Sequence, residues 1–398
     1  MAATGQLLTE LAEDLAAGGS DVSVVTGRPL TVSDGSIRRG IVSRESRNGV
    51  AVVRANGTRF DARRFAGRAA NYVSYFASAA LASLSIRRPD VVASLTDPPI
   101  IGLVALWTAR RTGAKFVFIC EDIFPEVAAL IEDFQSPLVN RWLDRVNRHL
   151  LSRADAIVAL GPRMRRRLVE EKGACESRVT IVHNWADADA IAPAPKDNAF
   201  ARAQGLADRF VVMHSGNVGL SQNLDLVIEA ADRLRSHANI VFAIVGNGAR
   251  RPALEAAAEQ RGLSNVRFLS YQPKDQLTES FAAADVFLVS LKAGIGGYIV
   301  PSKVYGILAA GRPYIAAVAP DCEAAIIARD HACGLVIAPG DPDALAASVL
   351  RLSRDGAATA AMGERARAAA LLYDRRRAVA AYRDLFARVT GRHAQAHV

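Results

Sequence analysis

An α/β architecture of two doubly wound halves facing a shared cleft is the fold this sequence predicts, and three observations predict it. The chain has 398 residues, too many for one ordinary core and suited to two domains of roughly 150–200 residues each. Short β-branched runs alternate with longer amphipathic stretches along its length, the pattern of parallel strands covered by helices on both faces. From Ala186 to Gly205 the alternation lapses into ADADAIAPAPKDNAFARAQG, a polar, proline-containing segment that reads as a linker.

Composition narrows the class. With 51% apolar and 22% charged residues there is material for two cores, and wholesale disorder is excluded. The four cysteines, Cys120, Cys175, Cys322 and Cys333, have no C-x-x-C spacing and no histidine cluster nearby. Neither a zinc site nor a disulfide framework is suggested, and a reducing cytoplasm fits. The net charge of +9 is mostly arginine, clustered at Arg63/Arg64/Arg68, Arg87/Arg88, Arg110/Arg111 and Arg163 to Arg167. Such a surface favours phosphorylated ligands or anionic headgroups. Solvated arginine on helix faces is the plain alternative. Nucleic acid is disfavoured, because the basic residues are spread over both halves rather than gathered with aromatics on one face.

Taken in order, ATGQLLTELAEDLAAGGSDVSVVTG reads as a helix and then a strand, with no strand ahead of the helix. A doubly wound half normally opens on a central strand, so either the natural start lies further upstream, which is the expectation, or this half lacks its first strand. The uncharged run Ala69 to Ile86 contains Asn71 and four serines and reads as a buried or membrane-facing helix rather than a span. No secretory signal is visible. DVVASLT, KFVFICED, ADAIVALG and RVTIVHN supply the remaining strands of the first half, and RFVVMHSGNVG, NIVFAIVGNG, NVRFLSY and ADVFLVSL those of the second. From Ala357 the chain is alanine- and arginine-rich helix with a polar tail, GRHAQAHV, expected to fray.

Chemistry concentrates at strand ends. In HSGNVGLSQNLDLVIEAADRL, Gly216 and Gly219 let backbone N–H groups approach an anion ahead of a helix starting around Asn223. VGNGARRPALE repeats the device with Gly246 and Gly248, and GGYIVPSKVYGILAAGRP sets Ser302 and Lys303 behind a glycine loop. Three such turns at strand ends of one half are expected to face one crevice. A diphosphate there needs a cation, which Lys303 can supply. Structural glycine turns and a surface lysine are the alternatives. In FICEDIFPEVAALIEDF, Glu121, Asp122 and Glu126 stand where a strand meets a helix begun by Pro125. Asp122 can serve there as a simple cap or face the cleft. TDPP, at Thr96 to Pro99, is a strand-end turn, and His183 with Asn184 closes the first half, where a hinge hydrogen bond is as good a role as catalysis.

Gly216-Asn217-Val218-Gly219 with Gln222, the Gly246-Asn247-Gly248 turn, AAADVFLVSL, VPSKVYGILAAGRP and CGLVIAPGDPDAL together resemble the C-terminal half of glycosyltransferase family 4. The bacterial colanic-acid and fucosaminyl transferase-like branch is the most similar. ATGQLLTELAEDLA, TDPPIIGLVA, EDIFPEVA and VHNWAD follow the order of its N-terminal half. The resemblance implies a GT-B fold, α/β with two Rossmann-like domains across a cleft. Residues 1–187 would form the acceptor domain, 188–205 the linker, 206–372 the nucleotide-sugar domain, and 373–398 a helix and tail crossing back to the first domain. It implies retaining transfer of a hexosyl or N-acetylhexosaminyl unit from a nucleotide-diphosphate sugar, UDP-linked, to a polyprenyl-diphosphate-linked saccharide in surface polysaccharide biosynthesis. No metal and no cofactor beyond the donor is implied, with a cytoplasmic location in peripheral contact with the inner membrane face.

Residue by residue, the resemblance gives Gly216, Asn217, Gly219, Gly246, Asn247, Gly248, Ser302 and Lys303 to the donor. Thr4 and Gly5, at the start of the first helix, would lie by the diphosphate. Asp122 would contact sugar hydroxyls or an oxocarbenium-like centre, with Glu126 supporting it. Two departures stand out. The glutamate that grips the ribose in the family is Gly306 here, leaving Glu323 as the nearest available carboxylate, and the lysine of the first glycine-loop helix is replaced by Ser221 to Asn223. More of the electrostatic duty then falls on Lys303. Two other functions compete. A nucleotide-sugar epimerase of the same fold would gather carboxylates and histidines in the cleft, and the seven histidines show no such cluster in sequence. A catalytically degenerate subunit that binds without turnover would suit Gly306 and the absent first strand. A dinucleotide dehydrogenase is disfavoured, for no G-x-G-x-x-G opens a strand–helix unit.

Overall fold

The computed structural model describes residues 3–27, 41–58, 60, 65–130 and 136–392. Arg63, Arg64 and residues 393–398 of the polar tail lie outside the described residues. The second half is a six-stranded sheet, β8 (Phe210–Ser215), β9 (Ile240–Val245), β10 (Val266–Leu269), β11 (Val286–Ser290), β12 (Tyr314–Ala317) and β13 (Gly334–Ile337), in the order β10-β9-β8-β11-β12-β13. Every pairing in it is parallel. Phe287 and Val289 face one core with Tyr305 and Tyr314, while Val286 and Leu288 face the other with Phe242 and Ile228. Both faces are dry, so the strands read as unbroken apolar runs. Each large side chain buried there contributes about 1.5–3 kcal/mol.

The first half holds two sheets. β1 (Ser23–Thr26), β2 (Val42–Arg47) and β3 (Val50–Ala55) run in the order β1-β3-β2, and β4 (Val91–Leu95), β5 (Lys115–Cys120), β6 (Ala156–Ala159) and β7 (Val179–Ile181) form a parallel set in sequence order. β2 and β3 are a hairpin turned by Asn48 and Gly49, with φ of 48° and 81°, the positive pair a two-residue turn of this hand requires. The packing helices are α1 (Ala3–Ala17), α2 (Phe65–Ser83), α3 (Ile101–Thr112), α4 (Glu126–Leu130), α5 (Pro137–Arg153) and α6 (Pro162–Glu170).

Val117 and Ile119 of β5 pack under Leu7, Leu11 and Leu15 of α1, while Phe116 and Phe118 pack on the other face with Leu150 and Leu151 of α5. The last helix, Arg375–Thr390, belongs to the first of these cores: Ala378, Val379, Tyr382 and Leu385 sit in it with Trp185. The chain therefore crosses between the halves twice, and the crossings lie side by side, joined by a bridge between Ala186 and Asp374.

Order reversal fixes where a ligand can sit. From β8 the sheet grows outward through β9 and β10, and after β11 it grows the other way. The loops leaving β8 and β11 diverge there, and the crevice between them is where open α/β sheets take ligands.

Candidate active site

The turn leaving β8 is built against the turn leaving β9. Gly216, at φ 129°, donates its N–H to Val245 O at 2.9 Å, and Val218 donates to Asn247 O at 2.9 Å. A Cβ on Gly246 would lie 2.0 Å from the carbonyl oxygen of Gly216, and one on Gly248 would lie 2.3 Å from that of Val218. The second turn is thus glycine so that the first can rest on it. This corrects one expectation: Gly216 and Asn217 line the cavity at the switch point, whereas Gly246, Asn247 and Gly248 do not and instead brace the turn from behind. Gly219 caps the next short helix, its N–H held by Gln222 Oε1 at 2.9 Å.

The loop leaving β11 ends at Pro301, and the short helix Lys303–Ala309 follows. Its apolar face, Val304, Tyr305, Ile307 and Leu308, is buried in the core, which leaves Ser302 and Lys303 on the cavity wall. Lys303 runs alongside Gly216: a Cβ there would sit 3.7 Å from its Cε and 3.8 Å from Nζ. Nζ lies 3.2 Å from Nε2 of buried His214, and that same Nε2 is 3.3 Å from the carbonyl of Asn217. One nitrogen cannot accept from an ammonium and donate to a carbonyl together, so a charged Lys303 requires Nε2 as acceptor. Burial and then the neighbouring ammonium keep His214 neutral, its pKa far below normal. Burial pushes Lys303 down to about 7. Among the described residues no carboxylate stands beside Lys303, whose ammonium lies part-buried against the backbone of a glycine turn.

The third glycine turn does not face the cavity either. The segment from Gly294 to Val300 crosses to the first half, where Ile123 donates its N–H to Tyr298 O at 2.9 Å and Ile299 bridges Asp122. Tyr298 Oη donates to Glu171 at 2.9 Å, and the Arg167 guanidinium lies 3.8 Å over its ring, with Nε donating to Gly296 O at 3.2 Å. Gly296 and Gly297 make room for Arg163 and Arg167. The loop is a strap between α6 and the Lys303 helix.

Asp122 lies behind this strap, so Ile299 and Val300 line the cavity and Asp122 does not. Burial, then Glu121 and Asp97, push its carboxyl up to about 7. Glu121 is raised by burial, partly offset by the hydrogen bond it accepts from Asn184 Nδ2 at 3.2 Å. Glu126 is not its supporter. The carboxylate is taken by Lys172, 1% exposed, whose Nζ lies 2.5 Å from Glu126 and 2.6 Å from Asp144. An ammonium that deep requires two carboxylates, and they tie α4 to α5.

Glu323 also differs from expectation. It is 4% exposed, pairs with His183 Nδ1 at 2.9 Å and presses on Gly161, where a Cβ would lie 2.2 Å from Oε2. It addresses the first half and is not on the cavity wall. Gly306 is on that wall, with Phe281 and Ile191 filling the space, 3.2 and 3.9 Å from where a Cβ would stand. Gly5 is inside α1 rather than in a loop before it, and its carbonyl accepts from Thr9 Oγ1 at 2.7 Å. His183 and His331 flank Tyr373, their rings 5.2 and 6.0 Å from its own, and none of the three lines the cavity.

The cavity measures about 290 Å³ and takes its walls from both halves. Besides Ser215, Gly216, Asn217, Ser302 and Lys303, it is lined by Tyr271, Lys274, Leu277 and Phe281 from the second half and by Gln6, Glu10 and Trp185 from the first. Glu10, Trp185, Lys274 and His214 were not singled out in the sequence. A largely apolar cavity with one ammonium, that of Lys303, on its wall can hold a ligand with an anionic group at that end. Among the described residues no group of three or more His, Cys, Asp and Glu could hold a metal ion, and no helix is long and apolar enough to cross a membrane.

Residues 3–185 match the family described as glycosyl transferase 4-like domain, and residues 196–369 match the glycosyl transferases group 1 family. WbjE of Pseudomonas aeruginosa, assigned as a glycosyltransferase, is 29% identical over 65% of this chain and 65% of its own. WcaI of Escherichia coli (strain K12), assigned to colanic acid biosynthesis as a glycosyl transferase, is 39% identical over 35% of each chain. The matched stretches thus span less than two thirds of either relative's length. The crystal structure of Anabaena Alr3699/HepE in complex with UDP-glucose superposes with a TM-score of 0.73 at 16% identity, covering 98% of this chain and 96% of that one. At that identity the likeness speaks for the fold, the two-part GT-B arrangement.

Proposed function

The chain belongs to the group 1 and 4-like glycosyl transferases, and on that premise we propose that it transfers a sugar from a nucleotide diphosphate to a saccharide acceptor in polysaccharide biosynthesis. The observation that carries this is the pairing of Lys303 with the Gly216 turn at the switch point. A part-buried ammonium held against that turn offsets the charge that develops on a departing diphosphate. UDP as the nucleotide follows from the resemblance. Retention of configuration, with the diphosphate itself taking the acceptor's proton and the protein positioning charge, follows from the same family.

In this reading the transferred hexosyl or N-acetylhexosaminyl unit lies toward Ile299 and Val300, within reach of Asp122 once the strap shifts. The donor serves with no metal and no further cofactor. The acceptor is a polyprenyl-diphosphate-linked saccharide presented at a membrane. Supporting this, neighbouring α3 and α5 expose Trp107, Leu138 and Trp142 among Arg110, Arg111, Arg141 and Arg145; α3 contains no acidic residue, and the one in α5, Asp144, is paired with Arg148 and Lys172. Aromatic and arginine side chains on one acid-poor face suit an anionic bilayer surface.

The test is incubation with a panel of UDP-sugars and lipid-linked acceptors, following released UDP. Turnover with one donor, lost in Lys303→Ala, is expected. UDP binding without turnover on any pair would instead favour the degenerate subunit, and interconversion of free UDP-sugars the epimerase.

A further inference from the structure

On the cavity wall contributed by the first half stands a buried carboxylate with exchangeable company. Glu10 of α1 is 4% exposed. Its Oε1 accepts from Gln6 Nε2 at 3.0 Å and Lys274 Nζ at 2.8 Å, and its Oε2 accepts from Trp185 Nε1 at 3.1 Å. Trp185 is buried in the core of the first half and fixes the carboxylate. Lys274 comes from the opposite half and is 53% exposed, so it can turn out to water at small cost. Glu10 would then keep two donors and present free lone pairs to the cavity.

The chemical order along the cavity says what would use them. Ser302, Lys303 and the Gly216 turn form the anion pole. One helical turn on, Gly306 offers no side chain, and Phe281, Ile191 and Leu277 continue the wall without an acceptor. Tyr271 and Lys274 line the same cavity, and Lys274 meets Glu10 there. A nucleoside diphosphate laid with its phosphates at Lys303 passes its ribose along this bare stretch and its base toward Tyr271. Two vicinal hydroxyls there require an acceptor. Two carboxylates line the cavity: Asp187, whose oxygens are taken by the amides of Asp189 and Ala190 and by Arg375, and Glu10, which comes from across the cleft.

Resting on the reading of the cavity as a nucleotide-diphosphate site, we propose that Glu10 receives the ribose 2′- and 3′-hydroxyls of the donor in exchange for Lys274. Part of the donor site is then supplied by the opposite half.

Calorimetric titration of the full chain with UDP, 2′-deoxy-UDP and N3-methyl-UDP tests this. The wild type should lose about tenfold to a hundredfold in affinity from UDP to 2′-deoxy-UDP, the range for a hydrogen bond to a charged group. Glu10→Gln should weaken UDP by a similar factor while losing little further on the deoxy analogue, the non-additivity expected of two groups in contact. Lys274→Met leaves Glu10 in place and should keep the full deoxy penalty, which covers the case in which Glu10→Gln fails to fold. A wild type that binds no UDP sinks the site itself. UDP binding with an undiminished deoxy penalty in Glu10→Gln, or with no deoxy penalty in the wild type and Lys274→Met, overturns this proposal alone. So does a Glu10→Gln variant that loses the N3-methyl penalty instead, since Glu10 would then be reading the base.

Discussion

Lys303 and Asp122 are held near half-ionisation from opposite directions, each at about 7. For Lys303 the folded value lies below the unfolded 10.5. The unfolded chain therefore binds the extra proton between those limits, and the residue's contribution to stability rises with pH across that window. A diphosphate reverses the pressure, since only the ammonium pairs with it. UDP affinity should fall as pH rises above 7, by up to about tenfold per unit, with proton uptake visible as buffer-dependent heat in calorimetry, and Lys303→Met should flatten the profile. Asp122 has the opposite sign. Its folded value stands above the ordinary 3.8, so the folded chain keeps a proton that the unfolded chain releases, and stability falls as pH rises from about 4 to 7. Asp122→Asn holds the neutral shape throughout. It should stabilise the protein at pH 8 by about 1–2 kcal/mol and leave it unchanged at pH 4, by urea melts, while UDP release from a sugar donor drops at least about tenfold.

At the scale of elements, the anion pole depends on two turns stacked backbone to backbone. With φ 135° and a Cβ that would meet Gly216 O at 2.0 Å, Gly246→Ala forces the turns apart. A loss of about 3 kcal/mol or more in urea melts is expected, together with loss of UDP binding in calorimetry, although residue 246 never touches the cavity. The legibility of the sequence divides along the same line. Gly216 and Lys303 could be read because their signals are local, a glycine at a strand end and a lysine at a helix start, and topology alone brings them together. β8, β9 and β11 could be read because both faces are buried. The β2–β3 hairpin was overlooked because Arg44, Glu45 and Arg47 face water and interrupt the apolar run, though its Asn48-Gly49 turn was the available signal. β12 and β13, four residues each, are too short to show a period. Glu126 and Glu323 were given to the site because their partners, Lys172 and His183, lie far along the chain. Glu10 went unseen for the same reason, its bond to Lys274 spanning 264 residues.

At the scale of the molecule, the two halves are joined both by the chain and by side-chain contacts. The two crossings of the chain run together at Ala186 and Asp374, and Arg375 binds Asp14 through Nε and Nη2 at 2.7 Å each, with Nη1 3.3 Å from Asp187. The halves also meet through the Glu10–Lys274 pair, the Ile123–Tyr298 bond and the Arg163–Asp321 contact. The last helix therefore moves with the first half although it follows the second in sequence, and the first half lacks a finished core without it. Tyr382 is the clearest probe, 2% exposed and edge-on to Trp185 at 6.3 Å. Tyr382→Ala removes a ring from a core formed by α1, β5, β6 and the returning helix, and should cost about 3–5 kcal/mol. That loss falls on the first half alone, because the six-stranded sheet keeps its own two cores intact. Thermal unfolding should then separate into two steps, the earlier one followed by Trp185 fluorescence, and saturating UDP should raise both midpoints, since its proposed site needs Lys303 from one half and Glu10 from the other.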